Sequence, residues 1–259
     1  MKICEKNGSI RILEEALLNS IPARQTILLD GWVLRMNRGY TYRANCVCPL
    51  EGEGSAGKIE ACEKLFEQNR LPSVFKVTPV CQPELAEQLE RRGYRKIKTV
   101  NVMSAELGQC AGESRAEIRC EAVPDREWLA ASARLTGVSS PGLVETHCRG
   151  LENIAVPGVF VKAVRQGKII GCGYGTAERG YVGIYDLHVE PEFRRGGIGT
   201  AVCGAILRFG AENGARAAYL IVHSRNQNAI RLYSSMGFQT QYEYGFYEKA
   251  GSAYQVFDA

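Results

Sequence analysis

The chain has 259 residues, 45% hydrophobic and 23% charged, a balance that fits one or two folded domains and excludes a disordered, collagenous or coiled-coil chain. A net charge of +4, from 32 Lys and Arg against 28 Asp and Glu, is too small to argue for nucleic acid as a partner. No apolar run approaches the roughly 18 residues of a membrane span, and Met1-Lys2-Ile3-Cys4-Glu5-Lys6 lacks the apolar stretch of a secretory signal, so the expectation is a cytoplasmic protein without a membrane partner.

In chain order, the apolar residues Ile10, Ile12, Leu13, Ala16, Leu17 and Ile21 recur at helical spacing, and residues 26–35 and 40–47 read as strands joined by the turn Asn37-Arg38-Gly39. Residues 55–68 read as a helix, 74–77 as a strand, 84–92 as a helix ended by Gly93, and 96–103 as a closing strand. The small, polar, aperiodic stretch Gly108-Gln109-Cys110-Ala111-Gly112-Glu113-Ser114 predicts a linker, which divides the chain into domains 1–107 and 115–259. Beyond it come a strand at 116–120, a helix at 124–135, and a segment without clear periodicity up to Val156. Three strands follow at 159–164, 168–176 and 181–189, joined by the turns Arg165-Gln166-Gly167 and Glu178-Arg179-Gly180. A helix at 198–213, a strand at 217–222, a helix at 227–236 and two terminal strands complete an α+β arrangement with a mixed sheet.

The ten cysteines show no zinc spacing and read as reduced thiols filling apolar positions. The one close pair, Cys46 and Cys48, is expected to point to opposite faces of its strand, and no metal is expected.

The two halves repeat. Laid side by side without a gap, Phe75-Lys76-Val77 falls on Tyr219-Leu220-Ile221, and Leu89-Glu90-Arg91-Arg92-Gly93-Tyr94 falls on Tyr233-Ser234-Ser235-Met236-Gly237-Phe238. One fold used twice explains this.

Two segments carry chemistry. Directly after the strand ending Leu187-His188-Val189 comes Glu190-Pro191-Glu192-Phe193-Arg194-Arg195-Gly196-Gly197-Ile198-Gly199-Thr200, which runs into an amphipathic helix buried through Ile198, Ala201, Val202, Ala205, Ile206 and Phe209. Glycines let backbone N–H groups approach phosphate oxygens, the helix start adds unbonded donors and its dipole, and two arginines add charge. Glycine also serves strand-to-helix turns for steric reasons alone, and without the lysine and Ser/Thr of a P-loop, nucleotide hydrolysis is not expected. The second segment runs from Asn226, through Gln227-Asn228-Ala229-Ile230-Arg231-Leu232-Tyr233, to Met236-Gly237-Phe238: a helix that Asn226 or Asn228 can cap and Gly237 can end.

Together, Arg-x-x-Gly-x-Gly after a strand and Asn-x-x-Ala-x-x-Leu-Tyr-x-x-x-Gly-Phe a strand and helix later resemble the GNAT superfamily of acyl-CoA-dependent N-acetyltransferases, and the repeat resembles the tandem members of that family. The resemblance covers residues 116–248 and implies acetyl-CoA as cosubstrate with a small-molecule or peptide amine as acceptor. It also implies two GNAT-like domains, each a mixed, mostly antiparallel sheet flanked by helices. By this analogy the backbone of Leu187, His188 and Val189 pairs with the pantetheine arm and acetyl carbonyl. Arg194, Arg195, Gly196, Gly197, Ile198, Gly199 and Thr200 hold the pyrophosphate, Asn226 contacts the cofactor further along, and Tyr233 is the acid beside the thiol sulfur.

The base is less legible. Relatives carry a glutamate at the places held here by Ile221 or Tyr185, so Asp186, His188, Glu190 and His223 are the remaining candidates, with Asp186 favoured. His147, beside Cys148, reads as a packing or surface histidine. In the first half Leu89 stands at the tyrosine position, Gln82 at the asparagine position, and Leu50-Glu51-Gly52-Glu53-Gly54-Ser55 in place of the arginine-rich loop, so that half reads as non-catalytic. Alternatives are a CoA-binding regulator without turnover and a tandem transferase using another acyl donor.

Overall fold

The computed structural model describes residues 3–51, 54–55, 57–107 and 116–258; the linker expected at 108–114, together with Gly52 and Glu53 of the acidic loop, lies outside the described residues. By internal contacts the chain forms two compact units, Met1–Asn101 with Tyr242–Ala259, and Val102–Gln241.

In the first unit, helix α1 (Ile3–Ser20) precedes strands β1 (Gln25–Leu29), β2 (Trp32–Met36) and β3 (Val47–Pro49), helix α2 (Lys58–Gln68), strand β4 (Val74–Val77), helix α3 (Leu85–Arg91) and strand β5 (Tyr94–Glu106). The expected single strand over 26–35 is instead a hairpin, because Asp30 (φ 43°) and Gly31 (φ 78°) turn the chain with the two positive φ angles that a tight hairpin needs. Nor does a strand follow Asn37-Arg38-Gly39: residues Tyr42–Ala44 make a 3-10 turn, and the buried Asn45 side chain accepts from the N–H groups of Asn37 and Gly39. Strands β1, β2 and β3 pair antiparallel, and β3 runs parallel to β4. Against β4 lies the last strand of the chain, β11 (Gln239–Lys249), antiparallel with Gly245 opposite Val77. One long strand thus stands where two terminal strands were expected, and the chain's last segment packs in the first unit.

The second unit takes the end of β5, then β6 (Glu117–Glu121), helices α4 (Arg126–Thr136) and α5 (Pro141–Glu152), strands β7 (Gly158–Arg165), β8 (Lys168–Glu178) and β9 (Tyr181–Val189), helix α6 (Ile198–Glu212), strand β10 (Ala217–His223) and helix α7 (Gln227–Ser235). Its sheet runs β5-β10-β9-β8-β7-β6, antiparallel from β6 to β9 and parallel between β9 and β10. The aperiodic segment before Val156 contains α5, started by the Ser140 side chain accepting from Leu143 N–H and by proline in the first turn.

What seats α6 is an alternation on β8. In Gly171-Cys172-Gly173-Tyr174-Gly175 the glycines share the face toward α6, and a Cβ on each would stand 3.0, 3.2 and 2.2 Å from Ile198, Val202 and Ile206 in turn. The helix therefore lies at backbone distance from the strand. On the opposite face Cys172 and Tyr174 meet α4, where Trp128 packs edge-on against Phe160 and Tyr174.

The repeat read in the sequence has a structural counterpart: β3-α2-β4-α3-β5 and β9-α6-β10-α7-β11 have the same element order, each with one parallel strand pair. Among the described residues the cysteines are free thiols. Cys46 and Cys48 do not point apart: residues two apart on extended backbone share a face, and their sulfurs are 3.5 Å from each other. No helix among the described residues is long and apolar enough to cross a membrane, and no group of three metal-ligating side chains occurs among them.

Candidate active site

Strands β9 and β10 begin side by side, with Ala217 opposite Tyr181 and Leu220 opposite Ile184; their register ends there, although β9 continues to Val189 and β10 to His223. The divergence has a local cause. A β-bulge falls between the pairs Cys172 with His188 and Tyr174 with Tyr185, placing Asp186 as an extra residue at φ 44°. Beyond it, Glu190 N–H bonds Ile170 of β8 at 2.9 Å, which by the parity of an antiparallel ladder turns the His188 backbone to β8 and those of Leu187 and Val189 toward the gap beside β10. Of the three backbones expected to meet the pantetheine arm, two face the gap.

The loop after β9 is exposed from Arg194 to Gly197. Arg195 (φ 63°) and Gly197 (φ 77°) both adopt left-handed backbone, which curls the chain so that α6 starts with free donors: its first intrahelical bond is Ala201 N–H to Gly197 C=O, leaving the N–H groups of Ile198, Gly199 and Thr200 at the mouth. Gly199 has a further role that sequence reading missed, since a Cβ there would touch Leu232 and Leu187 at 3.4 and 3.6 Å; it lets α6 approach α7 and β9. Arg194 folds back, its Nε donating to Val189 C=O at 3.1 Å, so of the two arginines Arg195 is the more open to a ligand.

Glu190 stands 5% exposed and is held by Arg134 of α4 and by Lys168 Nζ at 2.9 Å. Lys168 first, and then Arg134, hold its carboxyl below the usual carboxylate range, which fixes the loop root and makes Glu190 a weaker proton acceptor.

Helix α7 opens with Asn226 Oδ1 accepting from Ala229 N–H at 3.1 Å, so the asparagine expected to touch the cofactor first caps the helix. At the other end Gly237 (φ 88°) lets its own N–H bond Ser234 C=O and Phe238 N–H bond Tyr233 C=O, both at 3.0 Å, closing the helix in a Schellman motif. Tyr233 is anchored through this carbonyl and by the edge of Phe238 at 6.0 Å between ring centroids. It is 8% exposed, its hydroxyl meets no hydrogen-bond partner among the described residues, and burial, with the Cys203 thiol second, pushes its ionisation well above the ordinary 10. The phenol therefore stays protonated and able to donate.

On the other face of the sheet, Tyr185 and Tyr219 bond hydroxyl to hydroxyl, and Tyr185 stacks on Tyr174 at 5.0 Å. His188, in register with Cys172, and Glu190, bound to Arg134 of α4, lie on this face. His147, read as a packing or surface residue, is here too: 2% exposed on α5, with Nε2 3.0 Å from the Ser132 hydroxyl of α4. His223 Nδ1 accepts from Arg225 N–H at 3.0 Å at the end of β10.

Splayed parallel strands, a helix start with free donors and a second capped helix bearing a buried tyrosine define the class of GNAT-type N-acetyltransferases, which are acyltransferases. A family model described as "Probable histone acetyltransferase Rv0428c C-terminal" matches residues 7–247, and the chain belongs to this family. It is 27% identical over 234 residues to the uncharacterized N-acetyltransferase YobR of Bacillus subtilis, covering 88% of this chain and 94% of that one. Among solved structures, a GCN5-related N-acetyltransferase from Kribbella flavida shares the fold with TM-score 0.68 at 18% identity, covering 93% of this chain and 95% of the other. A tandem GNAT protein from the clavulanic acid biosynthesis pathway does so with TM-score 0.66 at 16% identity, over 97% of each chain.

Proposed function

We propose that the second unit binds one acetyl-CoA in the gap between β9 and β10 and transfers its acetyl group to a primary amine of a small molecule or peptide. The observation that carries this reading is the continuity of two donor sets: the backbones of Leu187 and Val189 facing the gap lead directly to the free N–H groups of Ile198, Gly199 and Thr200. The first set suits a pantetheine amide and a thioester carbonyl, the second a pyrophosphate with Arg195 beside it. Bound acetyl-CoA supplies a carbonyl that a neutral amine attacks, with CoA leaving as a thiolate. Backbone N–H groups at Leu187 and Val189 stabilise the charge developing on the carbonyl oxygen. Tyr233 gives its phenolic proton to the sulfur, and Asp186 receives the proton that the amine nitrogen loses.

The first unit contributes structure, and its described residues offer no comparable second cofactor site. Its counterpart of the gap holds only about 40 Å³, lined by Trp32, Pro49, Glu51, Cys81, Gln82 and Leu85 among others, with Cys81 Sγ donating to Pro49 C=O at 3.5 Å.

Titration of the protein with acetyl-CoA by calorimetry, followed by chromatographic detection of free CoA against a panel of amines and acyl donors, tests the reading. One equivalent bound and acetyl-dependent release with an amine are expected. Binding without turnover on any pair would make the chain a CoA-binding regulator, and release from another thioester alone would reassign the donor.

A further inference from the structure

The sheet of the first unit has two unlike faces. On the side of α2 and α3, Leu34, Val47, Phe75 and Tyr247 build an apolar core with Ile59 and Leu85. On the side of α1 the same strands carry Arg35, Cys46, Cys48 and Lys76, all buried. Lys76 Nζ pairs there with the fully buried Glu14 of α1 and lies 4.0 Å from the centre of the Tyr244 ring, while the other Glu14 oxygen accepts from the Tyr242 hydroxyl at 2.7 Å. Well-packed apolar residues serve a core as well as a buried ion pair does, so packing alone does not account for this layer of charge and thiol.

Strand register sets a cation beside each thiol. Val47 of β3 stands opposite Phe75 of β4, so Cys48 neighbours Lys76 on the α1 face. Val33 of β2 stands opposite Cys48, and Arg35 N–H bonds Cys46 C=O at 3.0 Å, so Arg35 flanks Cys46. The two sulfurs meet at 3.5 Å, one thiol donating to the other. With Cys46 as donor, that hydrogen bond, ahead of Lys76 and Arg35 and against burial, holds the Cys48 thiol below its usual range; Cys46 is pushed up, by burial first. The pair is therefore divided into a sulfur that ionises and a sulfur that keeps its proton.

We propose that Cys46 and Cys48 are a reversible oxidation site, which hydrogen peroxide converts to a disulfide within the first unit. The Cys48 thiolate sulfur attacks a peroxide oxygen, the O–O bond breaks, and the departing hydroxide takes up the proton that Cys48 had released and leaves as water. Cys46 sulfur then attacks the sulfenic sulfur of Cys48: the S–S bond forms, the S–O bond breaks, and the Cys46 proton leaves with the hydroxyl as a second water. Two thiols and one peroxide give one disulfide and two waters. Burial of both sulfurs denies a bulky disulfide its approach, while peroxide needs only a small local opening, and Cys46 at 3.5 Å is placed to intercept the sulfenic acid before a second oxidation. Two residues of strand advance about 6.7 Å, at the long end of the Cα separations of about 4.4 to 6.8 Å that a disulfide spans; the chain at Val47 has to pinch, and a thiol reductant reverses the bridge. None of these steps involves the acetyl transfer proposed above.

The test needs no turnover. The folded, unmodified chain is exposed to hydrogen peroxide, quenched, unfolded, alkylated, and mapped by mass spectrometry with and without dithiothreitol. The peptide holding Cys46 and Cys48 should become lighter by two hydrogens and accept no alkyl group until it is reduced, when both thiols return. The exposed Cys120 thiol calibrates the dose. Full alkylation of Cys46 and Cys48 at a dose that oxidises Cys120, a bridge from either one to another cysteine, or sulfinic acid on Cys48 in place of the bridge overturns the proposal. Two variants assign the order of events. In Cys46→Ser, Cys48 should hold a sulfenic acid that a 1,3-diketone probe traps, with about 10-fold or more label than Cys46 takes in Cys48→Ser. The reverse pattern overturns the assigned nucleophile, and the mapping of the unmodified chain decides the site even if a variant fails to fold.

Discussion

The β3–α2 and β9–α6 connections occupy equivalent places in a repeated fold and have opposite surroundings. Both helices start after a glycine at positive φ, Gly57 at 74° and Gly197 at 77°, so the backbone turn is common to both. After Gly197 comes the buried apolar Ile198, with the exposed Arg194 and Arg195 just before it; after Gly57 comes Lys58, whose ammonium is bound to Asp30 at 2.6 Å and lies over the Trp32 ring. Glu51 pairs with Arg11, Cys81 fills the space beside Pro49, and the fully buried Leu89 stands where Tyr233 stands in the other copy. The turn geometry is thus a property of the fold, and the proposed anion site depends on what fills and charges the turn.

Four substitutions and one control test that contrast. Tyr233→Phe should restore the Leu89-like condition of the helix without changing its packing volume: kcat should fall by about 10² to 10⁴ with acetyl-CoA affinity kept, and full activity with chemistry rate-limiting would make Tyr233 a core residue. Gly197→Glu brings to the second unit the negative charge of the first; by calorimetry on protein verified as folded, acetyl-CoA affinity should fall more than about 100-fold, since like charges in a phosphate cradle cost several kcal/mol. Arg195→Ala should weaken binding by about 1 to 3 kcal/mol, with a reduced dependence on salt. Gly175→Ala places a methyl 2.2 Å from Ile206 and should destabilise the protein by about 1 to 3 kcal/mol in chemical denaturation. The control is Glu51→Arg: reversing one charge leaves the small, occupied cavity of the first unit in place, so the stoichiometry should stay at one, and a second equivalent of acetyl-CoA would show that charge alone had silenced that copy.

Much of the second unit was legible because its signals are local. A glycine-rich turn, a helix with an Asn cap and a Gly-Phe ending, and strands punctuated by Gln166-Gly167 and Arg179-Gly180 each follow from neighbours in sequence. What stayed hidden depends on partners far along the chain. The bulge at Asp186 has no glycine to mark it and exists only through the register with β8. The use of Glu190 is set by Arg134 and Lys168, and that of His147 by Ser132, none of them adjacent in sequence. The packing of Tyr242–Ala259 with the first unit has no sequence signal at all, because a strand's composition does not say which sheet it will join.

The glycine face of β8 governs where the open N–H groups of Ile198, Gly199 and Thr200 sit along the sheet. Alternate residues of a strand advance by about 6.7 Å and fourth residues of a helix by about 6.0 Å, so two contact rows of this kind stay nearly in step over three contacts. Gly171, Gly173 and Gly175 against Ile198, Val202 and Ile206 form such a pair of rows, and sliding the helix by a fraction of a turn would lift each side chain from its hollow onto an intervening peptide. The far end of α6 therefore indexes its near end, as a graduated scale is read from a mark along its length, and a change at Ile206 would be felt as an axial shift of the N–H groups at Ile198, Gly199 and Thr200.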